Sequence, residues 1–380
     1  MNPAFSLILI ALSQLAFGAE INALISKQQL GTALFFDVNL SANRNQSCAT
    51  CHNPSQAFVD VRKNEFSGAV SQGSIDRKFG TRNSPSLAYA SLIPAFSVDI
   101  NGDNDGGFFH DGRAKNMERQ IAATLFNPND MALENPRQLS KRLKENDDYV
   151  AGFKTHFGNS IFEDSKKVVE ATASVIVAFE NGPLFALFTS RYDRYLRGEY
   201  ALSELEERGR NLFFSDVTNC MSCHHSVNST SDRNELFTDH KYHNIGLPPN
   251  QTVFKEDLDQ KKSTDLGLAQ NKVITTKKIS SGKFRTPSLR NVAVTSPYMH
   301  NGVFNKLRTA IHFYNHYIVT RETALINPET NKKWMPSEIP ENISTELLRR
   351  GQPISGERLE ALIAFLKILT DKEYEHLLEP

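Results

Sequence analysis

Apolar residues recur at a spacing close to 3.6 in several stretches of the chain, which is the pattern of amphipathic helices. The clearest stretch is 355–369, whose apolar face carries Leu359, Leu362, Ile363, Leu366 and Leu369. Ser355 is placed to begin this helix. Further helices are predicted at 26–34, 117–125, 136–145, 165–179 and 202–211. Few segments alternate as strands do, so the predicted fold class is mainly α.

One short pattern occurs twice along the chain. Residues 31–37 read Gly-Thr-Ala-Leu-Phe-Phe-Asp, and residues 209–215 read Gly-Arg-Asn-Leu-Phe-Phe-Ser. Each copy follows a stretch that favours a helix, and each precedes a pair of cysteines. The repeat therefore predicts two domains of similar construction, which we place at 19–198 and 199–380, with the boundary near Gly198.

The first 18 residues form an apolar segment that is short for a membrane span. Small residues stand at the −3 and −1 positions of a cut before Ala19. We interpret 1–18 as a cleaved secretory signal peptide, although its start carries no Lys or Arg. The alternative is a retained membrane anchor. After cleavage, no remaining run is long enough to span a bilayer, and we expect an exported, periplasmic protein.

The composition is that of a soluble globular protein, with 39% hydrophobic and 23% charged residues in a chain of 380. The 43 Lys and Arg residues balance the 43 Asp and Glu residues. No basic stripe indicates a nucleic-acid partner, so any charged docking face must be local.

The four cysteines form two pairs, each followed at once by His, in Cys48-Ala49-Thr50-Cys51-His52 and Cys220-Met221-Ser222-Cys223-His224. C-x-x-C-H is the attachment signature of c-type haem, in which two thiols bind the porphyrin and the His binds the iron. Zinc would need further ligands at close spacing, and a redox dithiol needs no His at a fixed offset. We therefore predict two cytochrome c-like domains, each wrapped around one covalently bound haem c.

Further segments resemble the bacterial di-haem cytochrome c peroxidases and the related MauG-type enzymes over essentially all of the mature chain. The resemblance rests on the two haem motifs and on the segments 81–87 (TRNSPSL), 109–114 (FHDGRA), 127–131 (NPNDM), 243–246 (HNIG) and 284–302 (FRTPSLRNVAVTSPYMHNG). It implies that the N-terminal haem meets hydrogen peroxide, while the C-terminal haem stores and relays electrons.

The resemblance also implies a peroxide pocket above the N-terminal haem. Asp130 stands where the family has a Glu that moves a proton between the two peroxide oxygens, and Gln120 matches a second pocket residue. Glu134 is a rival to Asp130 if its segment is helical, and Asp130 could instead cap a helix. Many of the peroxidases have a His between the first haem motif and segment 81–87. None occurs in 53–82, which resembles the MauG-type enzymes.

Two positions concern the C-terminal haem and the route between the haems. Tyr314 stands where the family places the second axial ligand, a Met in the peroxidases and a Tyr in the MauG-type enzymes; Met299 is an alternative sulfur ligand. The family usually has a Trp between the haems where this chain has His110, and the single Trp, Trp334, lies far away in sequence. The electron route must then use His110, Tyr or Phe residues, or a direct step.

The family also holds a calcium ion between its domains, and Asn83, Thr295 and Pro297 match its protein ligands. A side-chain amide oxygen and two backbone carbonyl oxygens suit a hard cation. Asn83 could instead cap a turn.

The main interpretation is a peroxidase that reduces hydrogen peroxide to water with electrons from a small redox protein, either cytochrome c or a cupredoxin. The alternative is a MauG-type enzyme that oxidises residues of a partner protein. Tyr314 and the missing distal His favour this alternative, whereas the missing Trp weighs against it. A third class, an electron-carrier cytochrome, has no use for the pocket segment 127–131.

Overall fold

A computed structural model of the chain describes residues 26–225, 234–256, 264–319 and 325–379. The expected signal peptide at 1–18 lies outside these residues. The described α-helices are α1 (Lys27–Phe36), α2 (Cys48–Cys51), α3 (Met117–Phe126), α4 (Pro136–Leu143), α5 (Asp147–Phe157), α6 (Ser165–Glu180), α7 (Arg191–Leu196), α8 (Glu204–Phe213), α9 (Gln251–Glu256), α10 (Lys277–Ser280), α11 (Leu307–Phe313), α12 (Asn315–Ile318), α13 (Thr345–Leu348) and α14 (Glu357–Lys367). Within the described ranges, no helix has the length and apolar character needed to cross a bilayer.

The strands are short and pair only as antiparallel ribbons of two residues each. The pairs are β1 (Ser97–Val98) with β2 (Asn104–Asp105), β3 (Tyr242–His243) with β4 (Phe284–Arg285), and β5 (Ile326–Asn327) with β6 (Lys332–Lys333). Their registers place Ser97 opposite Asp105, Tyr242 opposite Arg285 and Ile326 opposite Lys333. The prediction of a mainly α fold is therefore confirmed.

The predicted helices correspond to α1, α3, α4, α6, α8 and α14, and α7 is a further helix that was not predicted. Capping boxes mark the starts of α1, α7 and α8, with Ser26, Ser190 and Ser203 as the N-caps. The prediction that Ser355 begins the last helix is wrong, because Gly356 occupies the N-cap of α14 with a φ of 54°. Helix α5 was not predicted from its apolar spacing, and its start depends on the side chain of Asn146.

The first hydrophobic core forms where α1 crosses α6, with α3 and α4 packed on the same long helix. At the crossing, a Cβ atom on Gly31 would lie 1.8 Å from the carbonyl oxygen of Val175. Only glycine lets the two backbones approach this closely. The core around this crossing includes Leu34, Phe35, Phe153, Val168, Ile176 and Phe185.

The second core repeats this arrangement with α8 crossing α14. A Cβ atom on Gly209 would lie 1.9 Å from the carbonyl oxygen of Ala361. The sequence repeat thus has a physical cause, since its glycine permits the crossing and its Leu-Phe-Phe run supplies the core. The buried members of this cluster include Tyr192, Phe213, Phe237, Leu362, Phe365 and Leu369.

The repeat extends to the loops that follow the cysteine pairs. The hydroxyl of Ser86 donates a hydrogen bond of 2.6 Å to the carbonyl of Ala57. The hydroxyl of Ser288 donates one of 2.7 Å to the carbonyl of Leu236. The two Pro-Ser-Leu segments therefore hold equivalent loops in the two halves of the chain.

Three residues after each of these serines, the backbone enters the left-handed region. Tyr89 has a φ of 63°, and Asn291 has a φ of 60°. The amide of Tyr89 donates to the carbonyl of Phe185 at 2.5 Å, and the amide of Asn291 donates to that of Leu369 at 3.1 Å. Tyr192 in α7 packs in the second core although it precedes Gly198. The domain boundary near Gly198 therefore stays a prediction.

Replacing Gly31 or Gly209 with Ala should destabilise the protein. The added methyl group must displace a helix carbonyl, and overpacking of this kind typically costs about 1–3 kcal/mol. Gly152→Ala in α5 is the matched control, because its Cβ would meet Leu30 at an ordinary 3.4 Å. In urea unfolding, the midpoint should be lower than in the wild-type protein for the first two variants and unchanged for Gly152→Ala. An unchanged midpoint in both crossing variants would contradict this account of the cores.

Candidate active site

Both cysteine pairs lie in a single tight turn that leads into a histidine. The amide of His52 donates to the carbonyl of Cys48 at 3.0 Å, and the amide of His224 donates to that of Cys220 at 3.0 Å. The first pair forms α2, and the second begins a 3₁₀ turn at Cys220–Ser222. Two thiols and an imidazole are thereby gathered at the same spacing in each half.

Each of these histidines is oriented by a backbone carbonyl. The Nδ1 atom of His52 lies 3.2 Å from the carbonyl oxygen of Phe58, and Nδ1 of His224 lies 2.9 Å from that of Phe237. A proton on Nδ1 leaves Nε2 with a free lone pair, which is the tautomer that a metal ligand requires. Burial lowers the pKa of both imidazoles, so the neutral form is present at neutral pH.

The thiols do not resemble those of a redox dithiol. Burial raises the pKa of Cys48 and Cys51 to about 12 and that of Cys220 to about 11. Reactive dithiols need a lowered thiol pKa and access to solvent. Half-buried thiols with a raised pKa, beside an oriented imidazole, fit haem attachment better.

Two buried nitrogens near the second pair also fit a haem. The Nε atom of Arg285 and the Nδ1 atom of His240 have no hydrogen-bond partner among the described residues. His240 directly follows Asp239, whose amide donates to the carbonyl of Cys223 at 2.8 Å. Buried polar atoms normally have partners. The carboxylates of a porphyrin would satisfy both nitrogens.

Asp130 lies near the first cysteine pair and is largely buried. Its carboxylate accepts a hydrogen bond of 2.5 Å from the side-chain amide of Asn127. Burial raises the pKa of Asp130 to about 6, against the opposing effects of Asn127 and the more distant Arg113. Its charge in turn contributes to the raised pKa of Cys51. A carboxyl group with a pKa near 6 suits proton transfer at neutral pH.

The backbone around Asp130 is fixed by a close approach of another loop. The amide of Ser74 donates to the carbonyl of Asp130 at 2.8 Å. A Cβ atom on Gly73 would lie 2.4 Å from the carbonyl oxygen of Asn129. The loop 73–74 therefore fixes the backbone that carries Asp130.

The rival roles for this segment do not fit the structure. Residues 127–135 are not helical, and Glu134 is exposed, so the condition that made Glu134 a rival is not met. The helices on either side have Asn116 and Asn135 as N-caps, so Asp130 is not a helix cap. Gln120 lies half-buried in α3, one turn before Thr124, whose carbonyl accepts from the amide of Met131.

His110 and Asn83 are in direct contact. The Nε2 atom of His110 lies 2.9 Å from the carbonyl oxygen of Asn83. Burial lowers the pKa of His110 to about 4, and the nearby guanidinium groups of Arg82 and Arg285 add to this effect. His110 is therefore neutral at physiological pH, and Nε2–H donates to the carbonyl.

Tyr314 lies at the kink between α11 and α12. Burial raises the pKa of its phenol, and the next causes are the two thiols of the second pair, Cys223 and Cys220. These thiols are therefore its electrostatic neighbours. No described residue forms a hydrogen bond with its hydroxyl group. The geometry places Tyr314 beside the second haem motif with its oxygen free.

Met299, the alternative ligand, belongs to a different environment. Its side chain packs against a cluster that includes Phe304, Phe313 and Trp334. Trp334, the single tryptophan, is buried in this cluster with an exposed fraction of 8%. Tyr314 is thus the better placed of the two candidate ligands.

The three residues expected at a calcium ion are partly brought together. The amide of Asn83 donates to the carbonyl of His300 at 2.8 Å, which ties it to the segment that contains Thr295 and Pro297. The side-chain nitrogen of Asn83 donates to Ala69, and this leaves its side-chain oxygen available. Within the described ranges, the carbonyl oxygens of Thr295 and Pro297 accept no hydrogen bond.

Two polar groups at the cysteine pairs were not predicted from the sequence. Ligand atoms of Cys223, Asp239 and His243 lie within 4.8 Å of one another. Although burial opposes it, the hydrogen bond to Asp239 raises the pKa of His243 to about 9. In the first half, the guanidinium of Arg62 lies 3.1 Å from the sulfur of Cys51. The segment His243–Gly246 is part of the family resemblance and could have pointed to His243, but no sequence pattern indicated Arg62.

Paired C-x-x-C-H turns in a mainly α chain of two similar halves define a di-haem c-type oxidoreductase. The sequence signature of the di-haem cytochrome c peroxidase family matches residues 26–201. The chain is 43% identical to the methylamine utilization protein MauG of Paracoccus denitrificans over 350 residues, which cover 92% of this chain and 90% of that protein. The chain belongs to the di-haem cytochrome c peroxidase family, which includes MauG.

Two further relatives show the range of this family. The chain is 28% identical to a cytochrome-c peroxidase of Denitromonas iodatirespirans over 305 residues, which cover 76% of this chain and 72% of that protein. A solved structure of a tyrosine-to-methionine variant of the diheme peroxidase BthA from Burkholderia thailandensis superposes with a TM-score of 0.81 at 32% identity. That superposition covers 93% of this chain and 88% of the other.

The family resemblance and the prediction of an oxidoreductase are therefore confirmed. The order of the two functional interpretations changes, however, because the similarity to MauG is greater than that to the cytochrome-c peroxidase. The MauG-type alternative is better supported than the interpretation that we placed first.

Haem attachment can be counted directly. After expression with a c-type maturation system, a haem stain on a denaturing gel and the pyridine haemochrome assay should give two haems per chain. Changing Cys220 and Cys223 together to Ser should leave one, because the first pair is independent. A wild-type protein without covalent haem would overturn the assignment of both motifs.

The role of Asp130 predicts a pH dependence. Its carboxylate can accept a proton only when ionised, so the rate of reaction with peroxide should fall as the pH drops through about 6. Asp130→Asn should lower this rate by about 10²–10⁴-fold and abolish the pH dependence. Stopped-flow mixing with peroxide measures both effects. Glu134→Gln is the matched control and should behave as wild type, whereas an unchanged rate in Asp130→Asn would remove the proposed role.

Proposed function

We propose that this protein is a MauG-type di-haem enzyme, which reacts with hydrogen peroxide and takes electrons from residues of a partner protein. The observation that carries the proposal is the position of Tyr314 beside Cys220 and Cys223 with its hydroxyl group free. The two cysteine pairs would hold haem c groups, and His52 and His224 would bind their irons. The haem irons supply the redox chemistry of peroxide cleavage.

Asp130 is the proton carrier of this site. Its carboxylate takes a proton from one oxygen of hydrogen peroxide and returns it to the other, which then leaves as water. Asn127 holds the carboxylate through the bond of 2.5 Å, and Gln120, half-buried in α3, is proposed as the second residue of the pocket. The absence of His from 53–82 leaves this pocket without a closing imidazole.

In this proposal, Tyr314 would bind the iron of the C-terminal haem through its phenolic oxygen. An anionic oxygen ligand stabilises ferric iron and lowers the reduction potential, whereas a Met ligand raises it. A low potential makes electron uptake from a high-potential cytochrome c unfavourable. Oxidation of a protein substrate suits such a centre better.

The second candidate is a peroxidase that receives electrons from a small redox protein, either cytochrome c or a cupredoxin. The similarity to a cytochrome-c peroxidase and to the diheme peroxidase BthA supports it. His110 in place of Trp also supports it, because long-range oxidation of a partner protein needs an electron route through the molecule.

A calcium ion at Asn83, Thr295 and Pro297 is part of the proposal. The free side-chain oxygen of Asn83 and the two unpaired carbonyl oxygens support it. The ion would stiffen the contact between Asn83 and His110, which lie 2.9 Å apart.

Export to the periplasm through cleavage of 1–18 completes the proposal, since c-type haem is attached there.

The choice between the two functions can be tested at Tyr314. With reduced cytochrome c as donor, the wild-type protein should consume peroxide slowly, because electrons must enter a low-potential centre. Tyr314→Met should raise the potential of one haem in a spectroelectrochemical titration and accelerate donor oxidation. Tyr314→Phe should change the low-spin paramagnetic resonance signal.

Tyr317→Phe is the matched control. Its hydroxyl group donates to the carbonyl of Ile245 at 2.9 Å, so its loss should leave the potentials and the low-spin signal unchanged. Rapid oxidation of cytochrome c by the wild-type protein, with no gain in Tyr314→Met, would favour the peroxidase.

A further inference from the structure

A buried phenol and a buried carboxylate meet where the two halves of the chain join. Tyr89 and Asp371 have exposed fractions of 2% and 1%. The hydroxyl of Tyr89 lies 2.8 Å from both carboxylate oxygens of Asp371. Tyr89 follows the first Pro-Ser-Leu segment, and Asp371 lies just beyond α14, so the pair links the two cores.

On one side, Tyr89 is connected to the proximal histidine of the first half. Its amide donates to the carbonyl of Phe185 at 2.5 Å. The ring of Phe185 stacks on that of Phe58 with centroids 4.4 Å apart, and the carbonyl of Phe58 holds Nδ1 of His52 at 3.2 Å. The path from His52 to Tyr89 thus consists of packed rings and hydrogen bonds.

On the other side, Arg290 connects Tyr89 to the second half. Its guanidinium lies 5.5 Å from the ring of Tyr89 and 5.5 Å from the ring of Phe237. The carbonyl of Phe237 holds Nδ1 of His224 at 2.9 Å. Tyr89 therefore lies between the two proximal histidines, on a route that does not include His110.

The charged and aromatic groups around Tyr89 determine whether its phenolic proton must leave together with an electron. Arg290 faces its ring as a fixed cation, paired with Asp193 at 2.7 Å, and Phe188 covers the ring edge with centroids 4.8 Å apart. A positively charged phenol beside this guanidinium is unfavourable. Loss of the electron must therefore be coupled to loss of the phenolic proton, and Asp371 is the acceptor within reach.

Hydrogen bonds fix the carboxylate of Asp371 in the position in which it can accept that proton. The side-chain amide of Asn291 donates to one carboxylate oxygen at 2.9 Å, and the amide of Thr189 donates to the other at 3.1 Å. Burial raises the pKa of Asp371, against the effect of these bonds and of Arg290, so protonation costs less than in water. Burial and the carboxylate raise the pKa of Tyr89, which keeps the phenol protonated at rest.

We propose that Tyr89 is a redox-active relay between the two haem sites, with Asp371 as its proton acceptor. Peroxide is the oxidant, and it removes two electrons from the protein as it is reduced to water. Tyr89 gives up one of these electrons and transfers its phenolic proton to Asp371, which yields a neutral tyrosyl radical and a neutral carboxylic acid. An electron from the reducing partner and the same proton restore the pair.

The relay rests on the proposed reaction with peroxide, and its test includes a separate reading of that reaction. The full-length protein with both haems is mixed with hydrogen peroxide, frozen within milliseconds and examined by electron paramagnetic resonance. A tyrosyl radical signal is expected, and it should narrow when the protein contains ring-deuterated tyrosine. Tyr89→Phe should lose this signal while it still consumes peroxide.

Tyr242→Phe is the matched control, because Tyr242 is also buried but donates to the backbone carbonyl of Gly106 at 2.6 Å and forms no hydrogen bond with a carboxylate of the described residues. It should retain the radical signal. Asp371→Asn keeps the shape of the acceptor but removes its basicity, so the signal should form about 10²-fold more slowly. Formation in the wild-type protein should also be slower in heavy water, since a proton moves with the electron.

The outcomes separate the two proposals. If the protein does not react with peroxide, the proposed function fails. If peroxide is consumed but no tyrosine-derived signal appears, or if the signal persists unchanged in Tyr89→Phe, the relay is overturned while the function stands. A structural role for Tyr89 would change stability alone and would produce no radical.

Discussion

Each half of the molecule depends on one close crossing of two helices. At both crossings a helix carbonyl occupies the place where any residue other than glycine would carry its Cβ atom, as the distances at Gly31 and Gly209 show. The loop that carries each cysteine pair starts from the same helix that makes the crossing. The positions of the thiols and of the proximal histidines are therefore set by backbone contact rather than by the side chains around a cofactor.

Much of this was accessible from the sequence. The apolar period located most helices, and the G-x-x-L-F-F repeat indicated two similar halves before their crossings were seen. The start of α14 was missed because Gly356, with a positive φ, replaces the expected Ser cap. Helix α5 was missed although Tyr149, Phe153 and Phe157 form an apolar stripe at helical spacing, and its start is fixed by Asn146.

The candidate site divides in the same way. The C-x-x-C-H motifs pointed to the cysteines and to His52 and His224, whereas Asp130 and Tyr314 were predicted only from the family resemblance. The pairing of Tyr89 with Asp371 joins residues from opposite ends of the chain, and no local pattern predicts such a contact. Asn291, the counterpart of Tyr89 in the second half, binds the same carboxylate. The repeat thus brings Tyr89 and Asn291, which occupy equivalent positions in the two halves, to the same carboxylate, that of Asp371.

The helix crossings also have a consequence for how the chain matures. In each half the helix that precedes the cysteines packs against a helix much later in the sequence. Helix α1 packs against α6, and α8 packs against α14. Contacts between such distant segments form late in folding. Since synthesis proceeds from the N-terminus, each C-x-x-C-H segment is made before the helix that completes its core. Its thiols and imidazole would therefore be accessible to the haem attachment that we propose before the crossing forms.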